Sequence, residues 1–495
     1  MLQALLKCLA EDQVRLHMPG HGGGAAAPPE LLRHWGADVF RFDLTELPGL
    51  DNLAAPQGII ARAQEKTARL FGAEASFFLV NGSTVGLQAA AMACLRPGEE
   101  LLVPRCMHRS LWAGLIFSGA WPVYVPVEWE PEFGIPLAAT AEAWRQTWAQ
   151  APGARAVAAL HPNYFGICGD LPAVIELARQ RDQAVVVDEA HGAGFRFSPH
   201  LPPSALQLAA DVVVQSWHKT LTSLTQTAVL HCQGELVRSA DLSRCLQLLQ
   251  TSSPSYLLLL SLDLTRQQME EQGGELWARA VELAELIRRK VGAIPGLRCL
   301  GEEIRGRAGV GGWDPTRLVI DLAGLAGGAE NASRWLAQHC RLQVEMAEHD
   351  CMLCLVGPGS SREDAEVLVN ALRCLAERAG GQRRPPDRDW ISTWDPLLRL
   401  TPEVKMRPRD AFFQTGRMVD LEQAAGEISA DLICPFPPGI PVLAPGELIR
   451  PEQIEFIRAA KRRNICFQGS SDPDLAGLRV VAAAPGKGRT GCREY

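Results

Sequence analysis

The sequence predicts an α/β protein built on a mostly parallel sheet, and three observations carry that prediction. From about residue 70 to 235, short apolar runs end in polar or glycine-rich turns, with helical stretches between them. Most of the runs are continuously apolar instead of alternating, as expected of strands covered on both faces. The residues with conspicuous chemistry follow the carboxyl ends of these runs, where open α/β sheets hold ligands. The strand candidates are Ser76–Val80, Leu101–Pro104, Ala156–Leu160, Ala184–Val187, Val212–Gln215 and Thr227–His231. A proline-free helical pattern covers 262–291. Strand-like Leu318–Leu322, Leu342–Met346 and Met352–Val356 then alternate with helices near 330–339 and 362–377, a smaller α+β unit. Gly380 to Pro386 reads as a linker. A third unit follows, carrying the proline-rich turn Pro435 to Pro441 and Pro445-Gly446-Glu447. The expected organisation is an N-terminal arm (1–55), a large domain (56–265), a small α+β domain (266–380) and a C-terminal domain (390–495).

Composition narrows the function classes. With 47% hydrophobic and 21% charged residues over 495 positions, the chain is ordinary globular material with ample core. A net charge of −7, with no basic stretch interleaved with aromatics, argues against a nucleic-acid surface. No apolar run reaches the roughly 20 residues of a membrane span. Glu11 and Asp12 interrupt the N-terminus before a signal-like apolar segment forms, so a cytoplasmic protein is expected. The 14 cysteines are dispersed, and Cys351-Met352-Leu353-Cys354 has no second pair at zinc spacing. They read as small packing hydrophobes, and no metal is expected.

Five features carry chemistry. Lys219, in Ser216-Trp217-His218-Lys219, directly follows a buried strand, whereas lysine is normally a solvated surface residue. Desolvated lysines are the ones that form Schiff bases, and Ser216 and His218 can donate to a phosphate beside it. Asp188 ends the apolar run 184–187. Alone it reads equally as a turn former. With Lys219 on another strand, it matches what pyridoxal phosphate (PLP) requires: a lysine for the aldehyde and a carboxylate for the ring nitrogen. Gly82, Ser83 and Thr84, after Asn81, open a helix and offer backbone N–H groups to an anion, although a Ser or Thr there is usually only a cap. His108 can stack on a flat ring, and His191, three residues beyond Asp188, can hydrogen-bond the ring hydroxyl or a substrate carboxylate.

The order phosphate turn, histidine, aspartate, lysine resembles fold-type I PLP enzymes, those with the aspartate-aminotransferase fold. More narrowly, the chain resembles the Orn/Lys/Arg decarboxylase family in its short form, over about residues 14 to 480. The matching segments are His17-Met18-Pro19-Gly20-His21-Gly22-Gly23, Asp43 to Asp51, Phe78 to Thr84, Cys106 to Ser110, His161-Pro162-Asn163-Tyr164-Phe165-Gly166, Asp188-Glu189-Ala190-His191-Gly192, Ser216 to Lys219, Thr251 to Ser255, and the Pro435 to Glu447 stretch. Asn163 stands where threonine is expected and Arg109 where lysine is frequent.

The resemblance implies a seven-stranded, mostly parallel sheet and PLP bound to Lys219 as a Schiff base. It implies Asp188 on the ring nitrogen, His108 on the ring, and Ser83, Thr84, Ser216 and His218 at the phosphate. Ser252 or Ser253 would reach the phosphate of a neighbouring subunit in a homodimer or larger homo-oligomer. The implied reaction decarboxylates arginine, lysine or ornithine to the corresponding amine, for polyamine biosynthesis, and the short form leans toward arginine or lysine. The substrate's distal cation needs a negative partner, for which Glu46, Asp51 and Glu447 are the candidates. The rivals are another fold-type I reaction, such as α-oxoamine synthase-like acyl transfer or aldol cleavage, and a non-catalytic PLP-binding protein.

Overall fold

The computed structural model describes residues 1–482 apart from 12–13, 324, 326–327, 349, 379–387 and 437–438. The expected linker Gly380 to Pro386 lies outside the described residues, as do Pro437 and Pro438 of the proline-rich turn. A seven-stranded sheet forms the centre, from β1 (Ala75–Leu79), β2 (Glu100–Pro104), β3 (Trp121–Val125), β4 (Ala156–Leu160), β5 (Ala184–Asp188), β6 (Val212–Gln215) and β7 (Ala228–Cys232). Its order is β1-β7-β6-β5-β4-β2-β3, and β7 alone runs against the other six.

Successive side chains of a strand point to opposite faces, and here both faces are apolar. Val185, Val187 and Val213 join one core with the helices Ile59–Phe71, Ala141–Gln150 and Leu171–Arg179. Ala184, Val186, Val212 and Val214 join a second core with the helices Gly82–Cys94, Arg109–Ser118 and Ser239–Leu249. This two-sided cover is what the continuous apolar runs foreshadow. The sequence reading does not pick out β3, whose second residue is Pro122. As the last strand of the sheet it tolerates a residue without an N–H, because one of its edges is unpaired.

The long helix Tyr256–Gly292 begins earlier than the sequence pattern and runs through residue 265, where a domain boundary is expected. Its first half packs on the large-domain core and its end (Ala284, Ile287, Val291) on the core of the small unit. That unit is a four-stranded antiparallel sheet, in the order Arg298–Cys299, Arg317–Asp321, Cys351–Leu355, Met346–Glu348. The strand expected over 342–346 begins only at Met346, and Arg341 before it has a positive φ of 53°. Cys351 and Cys354 are buried on one strand, and burial pushes the Cys354 thiol up to about 12. Among the described residues no helix is long and apolar enough to cross a membrane.

One buried ion pair seats the C-terminal unit on the sheet. Arg105, just after β2, donates from Nη1 to Glu447 Oε1 at 3.1 Å and from Nη2 to the Val442 carbonyl at 2.7 Å. Tyr124 donates its hydroxyl to the same carboxylate, and Gln453 Nε2 does so at 2.9 Å. Both ion-pair side chains are fully buried. Removing one partner strands the other charge without water, so Glu447→Gln is expected to destabilise the fold by about 3 kcal/mol. Urea denaturation measures this, and a loss below about 1 kcal/mol would show the pair to be a bystander.

Two buried histidines add a pH dependence. Burial lowers His161 to about 4 and His231 to about 3. Between the ordinary value near 6.5 and these values the unfolded chain binds protons that the folded chain refuses. Their contribution is therefore complete above about pH 6.5 and is lost as the pH falls toward 4. His161→Gln, which keeps an N–H for the Pro203 carbonyl, is expected to flatten the fall in melting temperature between pH 7 and pH 4. A fall as steep as in the parent would exclude this cause.

Candidate active site

At the carboxyl edge of the sheet lies a cavity of about 320 Å³, within the range of small-molecule sites. Of the residues singled out in the sequence, Ser83, His108, Asp188, His191 and Lys219 line it. Asp188 ends β5, and Lys219 sits in the helical turn Trp217–Thr220 that follows β6, the neighbouring strand. Adjacent parallel strands therefore set the spacing of acid and amine.

Burial raises the Asp188 carboxyl, opposed by the nearby Lys219 amine and by the Ala190 N–H that it accepts at 3.0 Å. The Lys219 side chain is exposed at the cavity, yet the protein packed around its amine desolvates it enough to lower it, opposed by Asp188. Lys219 Nζ lies 3.1 Å from His191 Nε2. Burial, then Lys219, hold His191 well below its ordinary value, which favours the neutral ring. The ring's Nδ1 is buried and has no hydrogen-bond partner among the described residues. Burial, then Lys219, also bring His108 down to about 4, and its Nδ1 accepts the Ser110 N–H at 3.3 Å. The Arg109 N–H donates to the Gly439 carbonyl, tying the His108 turn to the proline-rich turn of the C-terminal unit.

Gly82 begins the helix Gly82–Cys94 at φ 76°, a conformation that residues bearing Cβ seldom adopt, and no side chain caps this helix. The Gly82 N–H donates to the Gln226 carbonyl at 2.8 Å, which leaves the N–H groups of the residues after it in the first turn to meet an anion. Ser216 donates its hydroxyl to Ser83 at 2.7 Å, which joins the lysine turn to this helix start. Thr84 is exposed beside Ser83. His218 turns its Nδ1 toward the Thr227 carbonyl at 2.7 Å. Ser252 is exposed and lines a different, smaller cleft with Leu53 and Gln247.

The three acids expected at the substrate tail do not line the cavity. Asp51 is buried, and its carboxylate accepts the backbone N–H groups of Asn52, Gln57, Gly58, Ile60 and Ala61, capping the helix Ile59–Phe71. Burial opposes these donors, yet they prevail and hold its carboxyl below the ordinary range. Glu447 is committed to Arg105, and Glu46 is exposed on the N-terminal arm. An acid already surrounded by donors is not free for a ligand's cation. Besides Asp188, the cavity wall holds the carboxylate of Glu345, just before the strand Met346–Glu348, which accepts the Tyr164 hydroxyl at 2.7 Å. Tyr164 packs edge-on against His191, with centroids 5.2 Å apart. Phe436 and Ile440 of the C-terminal unit close another side. Tyr164 lies within a recognised segment, whereas nothing in the sequence distinguishes Glu345 from other surface acids. Asn163 completes the wall: it accepts the Phe165 and Ile167 N–H groups and donates to the Pro136 carbonyl, so its own turn satisfies it.

This cavity suits PLP on the chain's own chemistry. It offers an amine, a buried carboxylate, a helix start with no side-chain cap beside two hydroxyls, and a buried imidazole nitrogen lacking a partner among the described residues. Comparison with known proteins agrees. The chain is 37% identical to the arginine decarboxylase of Halalkalibacterium halodurans over 95% of both chains, and 35% identical to that of Bacillus subtilis over 96% of both. The solved lysine decarboxylase LdcF of Francisella novicida superposes with a TM-score of 0.84 at 19% identity, covering 96% of this chain and 80% of that one. The architecture is that of the fold-type I PLP enzymes. Residues 1–305 match the profile of the Orn/Lys/Arg decarboxylase major domain and residues 394–492 that of the C-terminal domain, and the chain belongs to the Orn/Lys/Arg decarboxylase family.

Proposed function

We propose that this decarboxylase acts on L-arginine, releasing carbon dioxide and agmatine, with PLP held through Lys219. The carrying observation is that the Lys219 amine and the Asp188 carboxylate line one cavity, with the Glu345 carboxylate also in its wall. The names of the curated relatives favour arginine among the basic amino acids. Lys219, Asp188, His108, Ser83 and Ser216 would hold the cofactor, with Thr84 and His218 beside its phosphate. When bound, PLP supplies the electron sink for the pair released as the Cα–carboxylate bond breaks.

The chain's own residues do the rest. Asp188 places a carboxyl group where a protonated ring nitrogen would need a negative partner. The Lys219 amine, lowered by its surroundings, gives up a proton more readily than a surface lysine, and the hydrogen bond to His191 Nε2 orients it. The neutral His108 ring offers a flat, uncharged face. Glu345 can take the guanidinium through two parallel hydrogen bonds, which favours a planar cation over an ammonium. Tyr164, already bonded to Glu345, fixes the direction of that carboxylate. Ser252 is exposed and lines another cleft, and in a homodimer it would serve the neighbouring copy. A cytoplasmic role in polyamine biosynthesis follows if agmatine is the product.

Lys219→Ala is expected to lose visible absorbance near ~420 nm and to lower kcat by about 10³-fold. Absorbance that persists would remove Lys219 as the anchor. Labelled carbon dioxide from arginine, lysine and ornithine tests the substrate. Release from none of them, with activity on glycine plus an acyl thioester, would overturn the proposal. Glu345→Gln is expected to raise KM for arginine about tenfold with a smaller change in kcat. An unchanged KM would place the substrate tail elsewhere.

A further inference from the structure

The Asp188-Glu189-Ala190-His191-Gly192 segment contains a second acid to which nothing above gives a task. Glu189 is fully buried behind the cavity. One of its carboxylate oxygens accepts the Ala205 N–H and the other accepts Gln215 Nε2–H, both at 2.6 Å. Gln215 is the last residue of β6. Its Oε1 accepts twice, from Trp217 Nε1–H at 3.0 Å and from His231 Nε2 at 3.1 Å. His231 Nδ1 in turn meets the Ser76 hydroxyl at 2.7 Å on β1. Phe71 stacks on Trp217, with centroids 5.4 Å apart, and lies 4.9 Å from His231. Glu189, Gln215, Trp217 and His231 are all buried. Gly192 makes room for the carboxylate, because a Cβ there would come within 2.7 Å of Glu189 Cγ.

The chain of bonds has a direction. Glu189 meets only donors, so the Gln215 amide must present its N–H₂ to Glu189 and its oxygen to Trp217. Glu189 directly follows Asp188, and Trp217 opens the turn that carries Lys219. Three side chains thus join the acid's strand to the lysine's turn from behind the cavity. We propose that Glu189 is a positioning residue that, through Gln215 and Trp217, fixes the Lys219 turn relative to Asp188 and so holds the lysine amine in its place in the cavity. It rests on the reading of Lys219 as the cofactor-bearing residue, and part of its test needs no cofactor.

Trp217→Phe cuts the last link without changing any charge. Glu189→Gln sets two amide donors against each other. The exchange Glu189→Gln with Gln215→Glu keeps every hydrogen bond while moving the carboxylate. In cofactor-free protein, the pH dependence of Lys219 acylation reads the amine directly. Trp217→Phe and Glu189→Gln are expected to raise its midpoint by about 0.5 pH unit or more as the amine gains water. As holoenzymes they are expected to lose about tenfold in kcat with KM within about twofold, and the exchange variant to recover to within about threefold of the parent. If Glu189→Gln does not fold, Trp217→Phe decides alone. A parental midpoint and kcat in Trp217→Phe would overturn the proposal, as would a folded exchange variant with the defects expected of Glu189→Gln. Visible absorbance that persists in Lys219→Ala would count against the cofactor reading alone, whereas the acylation midpoints, read without cofactor, decide this one.

Discussion

Six strands running in one direction are the constraint on which the site depends. Their final residues open on one edge, and neighbouring strands stand about 4.8 Å apart, so acid and amine are spaced by the sheet and not by flexible loops. Asp188 and the Lys219 turn end the paired strands β5 and β6, whose flanking side chains are buried on both faces. Only such a frame can keep a carboxylate and an amine close while both are partly stripped of water. Burial shifts both groups toward neutrality, and the charge of each opposes the other's shift.

The other two units add to the walls. The small unit brings Glu345 to the cavity. The C-terminal unit brings Phe436 and Ile440, anchored by the Arg105–Glu447 pair and by the Arg109–Gln468 hydrogen bond at 2.6 Å. The long helix Tyr256–Gly292, shared between two cores, sets the small unit against the large one.

The central sheet was legible in the sequence because two-sided burial leaves an unambiguous mark, an uninterrupted run of Val and Ala. The edge strand Trp121–Val125 was not, because an edge tolerates the proline that would break an inner strand. Lys219, Asp188, His108, His191 and Ser83 could be named because strand ends are readable and few residue types suit each position. The substrate-tail acids could not. Asp51 and Glu447 stand in recognised segments, yet backbone N–H groups hold the first and a guanidinium the second, and such partners depend on packing between distant segments. Glu345 gave no sign at all, since its place is set by how the small unit meets the large one.

The cavity wall contributed by Phe436 and Ile440 has a consequence for how such a chain can change over generations. These side chains belong to a unit remote in sequence from Lys219, yet they face the same chamber. Drift in the last hundred residues is therefore felt by the chemistry. Chimaeras that graft one relative's tail onto another's sheet would inherit a mismatched reaction vessel even where both parts fold.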